Sequence, residues 1–211
     1  MSTTTVSRAA SAGLTGGVLW ALFPAVSSIA DGDDAEFGTL AFAAIAASYW
    51  IFSVLPPVLI VVGLSGLRRV LGPDAGRTAV AGVVLSAVGL GAMALGMGVE
   101  VASMSVGGDE VSLGHLVLLI GFLVSVVGGI MLGIHLMRHR WDALSRAAGV
   151  LLTLALPAGI GIGVLGAAVA PAGDAWFWAA MAVPTGIAWV LLGASLRSDR
   201  RPATKEFAPA S

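Results

Sequence analysis

Charged residues in this chain are gathered into short clusters, and six long runs between the clusters contain no Asp, Glu, Lys or Arg. Ala9 to Ala30 is free of charge for 22 residues, and Phe37 to Leu67 for 31. Thr78 to Val99 follows, with Glu100 at its far end, then Val111 to Met137, Ala147 to Pro171 and Ala175 to Leu196. A transmembrane helix needs about 20 mostly apolar residues. The pattern therefore predicts an all-α integral membrane protein of six transmembrane helices.

The runs pair into three consecutive hairpins, over about residues 8–69, 77–140 and 146–201. Each opens on an arginine (Arg8, Arg77, Arg146), and these stand 69 residues apart both times. Each turns at a Gly-Asp pair: Gly32-Asp33, Gly108-Asp109 and Gly173-Asp174. An even number of spans per unit gives successive copies the same orientation, related by an axis along the membrane normal. The pattern reads either as a 2+2+2 duplication or as what any three hairpins with basic ends on one side would show. Side chains within the spans do not align well enough to choose.

Composition changes the picture only by removing alternatives. Of 211 residues, 57% are hydrophobic and 11% charged, and mean hydropathy is +0.96. A soluble domain carries roughly 25% charged residues to cover its surface. The expectation is one six-helix domain over residues 1–211, with polar tails at 1–7 and 198–211 disordered. An arginine, an apolar run and Ser28-Ile29-Ala30 also fit a cleavable signal peptide. The run is long for that purpose, and it fills the place of a helix in the first unit.

The formal net charge of −1 hides an asymmetry. All eleven Lys and Arg residues fall on one side of a six-span arrangement, and eight of twelve carboxylates on the other or at its boundary. Arginine and lysine are retained in cytoplasmic loops, which places both termini in the cytoplasm of a plasma-membrane protein. Topology thus accounts for the basic loops without nucleic acid. Anionic lipid is their nearest partner, alongside a membrane-protein partner or a second copy of the chain.

Small residues are the commonest contact feature. Gly82, Gly89 and Gly96 recur every seven residues on one face of the third span, and Gly129/Gly133 and Gly159/Gly163 are GxxxG pairs. In lipid the hydrophobic effect does not drive helix against helix, so close backbone approach must. The pattern suits packing within the chain better than a dimer face. Pro56-Pro57 predicts a kink in the long second run, because proline removes a donor and crowds the preceding turn.

Candidate chemistry is sparse. His135, His139 and Asp142 have i, i+4, i+7 spacing and on one helix would share a face, where two imidazoles and a carboxylate would hold zinc. Arg138 and Arg140 beside them disfavour a cation, and a lipid-facing helix end anchored by Trp141 explains the same residues. Glu100, Asp109, Glu110 and His115 would bind a divalent cation if they converged; a solvated acidic turn is the plainer reading. The absence of cysteine excludes disulfides and thiol catalysis. No ionisable group lies mid-span, which disfavours ion-coupled carriers. No sequence feature calls for a cofactor. Tyr49, Ser53, Ser86, Ser125, Thr153 and Thr185 are expected to bond to helix backbone or to neighbouring helices.

Three functions remain. The first is a non-catalytic membrane protein acting through packing with lipid or partner chains. The second is a transporter or channel for a small neutral solute, its path near the kinks at Pro24, Pro56, Pro157 and Pro184. The third is a membrane-embedded metal-dependent enzyme using His135 and His139.

Overall fold

The computed structural model describes residues 3–30, 35–72, 75–109, 111–139, 142–169 and 175–198. The Gly32-Asp33 and Gly173-Asp174 turns, Pro73-Asp74, Glu110, Arg140-Trp141 and residues 199–211 lie outside them. The described chain is all helical: α1 (Thr3–Ala30), α2 (Leu40–Tyr49), a π-helical turn (Trp50–Val54), α3 (Leu55–Leu71), α4 (Gly76–Ser105), α5 (Ser112–Arg138), α6 (Ala143–Val169) and α7 (Ala175–Ser198). Six helical units are long and apolar enough to cross a membrane, with α2, the π turn and α3 together making the second. Because α1 already begins at Thr3, residues 3–7 are helical where the sequence suggested a frayed tail.

The packing is a closed ring. Each span lies against its neighbours in the chain, and α1 closes on α7. Neighbours run antiparallel: Ser11, near the start of α1, meets Arg197 at the end of α7, and Ser145, at the start of α6, meets Ser195. One end of the ring therefore carries Arg8, Arg68, Arg69, Arg77, Arg138, Arg146 and Arg197, and the opposite end carries Glu36, Glu100 and Asp109.

Burial is arranged for an oily surrounding. Leu95, Val88, Leu123, Val164 and Leu165 point outward, while much of the buried set is Gly, Ala, Ser and Met. So much outward apolar surface in water would be an association liability; against hydrocarbon it is the natural outer face.

Glycine sets the interhelical distances. A methyl group added at Gly89 would collide with Ser125 N and Gly121 O, and one at Gly96 with Leu118 N and Gly114 O. Gly82 meets Leu132 N and Gly128 O in the same way. The partners Gly114, Gly121 and Gly128 are themselves seven residues apart, so two glycine stripes face each other in constant antiparallel register. Elsewhere Gly17 meets Gly186, Gly193 meets Ala10, Gly13 meets Gly63, and Gly133 meets Gly149. The contact between α4 and the π turn differs: a methyl at Gly98 would be 3.9 Å from Val54 and 4.0 Å from Trp50, ordinary contact.

The kink predicted at Pro56-Pro57 takes the form of a π turn. Leu55 N–H reaches back to Trp50 O, one residue further than in an α-helix, and the prolines then sit in the first turn of α3. Because the helix is continuous through this turn, Pro56 and Pro57 remove the next two N–H donors in the ladder. Ser53 Oγ donates to Tyr49 O at 2.5 Å.

Candidate functional site

Three cavities follow one another along the ring axis and shrink toward the arginine-bearing end. The outermost, about 250 Å³, is lined by Phe23, Pro24, Ser27 and Ser28 of α1, Tyr49 of α2, Met97 of α4, His115, Leu118 and Leu119 of α5, and Trp178 of α7. Below it a chamber of about 50 Å³ lies among Trp20, Met93, Phe122, Ser125, Thr185, Trp189 and their neighbours. Next to Trp189 a residual space of about 10 Å³ is enclosed by Ala9, Gly13, Ile60, Gly63 and Leu192, among others. The widest of the three, at the acidic end, forms a vestibule, and the two nearer the basic end are much smaller.

Aromatic side chains build the floor. Trp20 stacks on Phe23 with centroids 5.5 Å apart, and Trp178 meets Phe122 edge to face at 5.4 Å. Trp20 is fixed in place because its indole Nε1–H donates to Thr185 Oγ1 at 3.1 Å. Thr185 passes its own proton to Met181 O at 2.6 Å. Aromatic pairs of this kind add about 0.5–1.5 kcal/mol beyond burial, and they shape a wall that presents ring faces and few polar atoms. The vestibule is open because α2 has little to pack on. Phe37 lies over Gly107 at the α4–α5 turn, while Ala41, Ala43, Ala44 and Ala47 of α2 remain exposed.

The in-span polar residues mostly bond to their own helix backbone. Ser125 donates to Phe122 O at 2.7 Å, and Thr153 to Gly149 O at 2.8 Å. Ser86 departs from the expectation: it is fully buried opposite Gly128, and its hydroxyl has no partner among the described residues. Helix α4 does run on to Ser105, and Glu100 turns toward the start of α5. There its Oε2 accepts from Val111 N–H at 3.3 Å, and Oε1 is buried without a partner among the described residues. Asp109 is exposed, and its backbone carbonyl accepts from Ser103 Oγ. His115 lines the vestibule.

At the basic end His135, His139 and Asp142 do not share one helical face, because α5 stops at Arg138 and the backbone at His139 is extended. The two imidazoles are brought together, stacked with centroids 3.9 Å apart, and His139 Nδ1 lies 3.0 Å from His135 O. Asp142 is engaged elsewhere. Its Oδ1 accepts from Ser145 N–H at 2.7 Å, capping α6, and its Oδ2 accepts from Ser195 Oγ at 2.7 Å. Ser145 Oγ and Ser195 Oγ lie 2.8 Å apart beside the same carboxylate. Burial pushes the Asp142 carboxyl up, but the Ser145 N–H, the Ser195 and Ser145 hydroxyls and the Arg146 charge together hold it below its ordinary value. Among the described residues no three His, Cys, Asp or Glu side chains gather as a metal site would require.

The predicted packing glycines all have neighbours within the chain. Gly82, Gly89 and Gly96 face α5; Gly133 faces Gly149 of α6; Gly159 and Gly163 of α6 face Met181 and Phe177 of α7. Gly129 is the looser one, with Leu152 at 3.8 Å, and it lines the central chamber. Sequence reasoning overlooked the Gly114, Gly121, Gly128 stripe, although its seven-residue spacing is as plain as that of α4. It also overlooked the Asp142-to-Ser145 cap, an Asx side chain three residues ahead of a backbone N–H. Ser195 and the vestibule residues carry no sequence signal, since only the ring brings them together. No family model, no curated protein and no solved structure matches this chain.

Proposed function

We propose that the chain is a non-catalytic multi-pass plasma-membrane protein whose ring binds a small, neutral, weakly polar molecule in the vestibule at the acidic end. Both termini are cytoplasmic in this reading, so the vestibule faces outward; the one-ended placement of arginine supports it. The three hairpins, at about 8–69, 77–140 and 146–201, are its building units, with α1 against α7 as the closure.

The observation that carries the proposal is the cavity of about 250 Å³. It is near the low end of ligand-pocket volumes, which run from about 300 Å³ upward, so the occupant is small. Its lining combines an apolar and aromatic wall with Tyr49, His115 and the Ser27 and Ser28 hydroxyls, which donate to Pro24 O and Ala25 O and keep lone pairs to accept a hydrogen bond. That combination suits one or two polar groups on an apolar body. A charged solute would meet no Asp, Glu, Lys or Arg among the described lining residues. The narrowing to about 10 Å³ favours binding from one side over an open channel.

A saturation series of small neutral phenols and alcohols, read by quenching of intrinsic tryptophan fluorescence in detergent, tests this. Saturable quenching that disappears in Leu119→Trp, where an added indole fills the cavity, is the expected result. Quenching that stays linear in ligand concentration, or is unaffected by Leu119→Trp, would leave the vestibule without a binding role. Liposome flux of the same panel separates binding from transport. Rates equal to those of empty vesicles confine the role to binding.

A further inference from the structure

A second cavity lies at the opposite end of the ring, outside the vestibule and its proposed function. It measures about 190 Å³ and is formed where α4 begins and α5 ends, by Gly76, Thr78, Ile134, His135, Arg138 and His139 among others. Three features of its wall have one sign. The start of α4 has no side-chain cap, so its first N–H groups lack partners from a capping residue. Such groups, reinforced by the helix dipole, attract anions. The Arg138 guanidinium has no hydrogen-bond or ion-pair partner among the described residues.

The independent indication is His135. Its residue is only 6% exposed, yet neither ring nitrogen has a hydrogen-bond partner among the described residues. Its ring nitrogens are not among the fully enclosed, unpartnered atoms, and the residue forms part of the cavity wall. Polar side chains of residues this far buried are as a rule hydrogen-bonded. A ligand in this cavity would supply the missing bond. His139, stacked on it, uses Nδ1 at His135 O and keeps Nε2 for another partner.

The chemistry of the wall selects the occupant's sign. No carboxylate is among the described lining residues, and a metal ion would sit there beside Arg138 with two imidazoles. Guanidinium, imidazole N–H, the Thr78 hydroxyl and backbone N–H are donors, and a tetrahedral oxyanion accepts from several at once. We propose that this cavity is a phosphate-binding site. The phosphate is carried either by the headgroup of an anionic lipid in the adjoining leaflet or by a soluble phosphate compound.

The test uses the full chain in nanodiscs of zwitterionic phosphatidylcholine. Inorganic phosphate is titrated against chloride at matched ionic strength, and in a second arm discs containing phosphatidic acid are compared with phosphatidylcholine alone. Binding is read by thermal stabilisation and by native mass spectrometry. Arg138→Gln should weaken the interaction at least about tenfold, the size of a lost charge-assisted hydrogen bond. Arg69→Gln, at the same end but outside the cavity, should change it by less than about twofold, as a screened distant charge. His135→Gln should behave as Arg138→Gln does. If His135→Gln fails to fold, the exposed Arg138 carries the comparison alone. Response in the phosphatidic acid arm only identifies a lipid headgroup, and response to inorganic phosphate identifies a soluble compound; either supports the site. No response in both arms, or equal losses in Arg138→Gln and Arg69→Gln, would overturn it.

Discussion

Helix α4 is held differently on its two sides. Toward α5 two glycine stripes press backbone against backbone along the whole contact, and that pair is the most extensive in the ring. Toward the second span the neighbours of Gly98 are side chains of the π turn at ordinary distance. The first contact leaves no room to adjust, because a backbone atom cannot rotate out of the way. The second is adjustable, and it is beside this looser contact that the vestibule opens. Without a hydrophobic drive between helices in lipid, packing detail decides which contacts are rigid.

The largest test of that contrast is Gly89→Leu. Even the first added carbon collides with Ser125 N and Gly121 O, so no rotamer relieves it. The expected loss is about 3 kcal/mol or more, seen as a collapse of thermal stability and monodispersity in detergent. A stable, monodisperse Gly89→Leu protein would mean that the two stripes do not meet.

Next in size is Ser195→Ala, which removes the proton donor to Asp142 Oδ2 across α6 and α7. The expected cost is about 1–3 kcal/mol in unfolding free energy. Its pH dependence follows from the lowered Asp142 carboxyl. A carboxyl whose folded pKa is depressed contributes stability above its unfolded pKa and loses it as pH falls through the folded value. The native protein should therefore lose stability below the ordinary carboxylate range, and Ser195→Ala should lose less there. Identical acid transitions in both proteins would show that the Ser195 bond contributes nothing.

A smaller effect on stability, with a clear effect on the vestibule, is expected from deletion of Ile51. Removing one residue from the π turn restores regular i→i+4 bonding, draws α2 toward α3 by about 1.5 Å and changes their relative rotation only slightly. That displaces Tyr49 within the cavity wall it now forms, so the fluorescence response to neutral ligands should weaken while the melting temperature shifts little. Smallest of all, Gly98→Ala should change stability by less than about 0.5 kcal/mol, because its new methyl would meet only Val54 and Trp50 at ordinary contact distance. A large loss there would erase the difference between the two sides of α4.

Much of the fold was legible because apolar run length and charge position are one-dimensional properties. Six uncharged runs became six helical units, and arginines at alternate run ends gathered at one end of the ring once neighbours ran antiparallel. The glycine stripe of α4 was legible for the same reason: a seven-residue period fixes a face without reference to any partner. His135, His139 and Asp142 show the limit. Their spacing assumed an unbroken helix, and the chain instead leaves the helix at His139, giving Asp142 to the cap of α6. The local cue was available in Asp142 and Ser145, but its partner Ser195 stands 53 residues away.

By itself, then, the sequence determined that six helical units are long and apolar enough to cross a membrane, and where backbones can touch, since each depends on residue size or polarity counted along the chain. Only the tertiary structure decided that α1 closes on α7, that Trp20 and Trp178 help wall a tapering vestibule, and that His135 is buried without a bond beside an uncapped helix. Those are relations between residues far apart in the chain. Closure of the ring creates them, and local pattern does not encode closure.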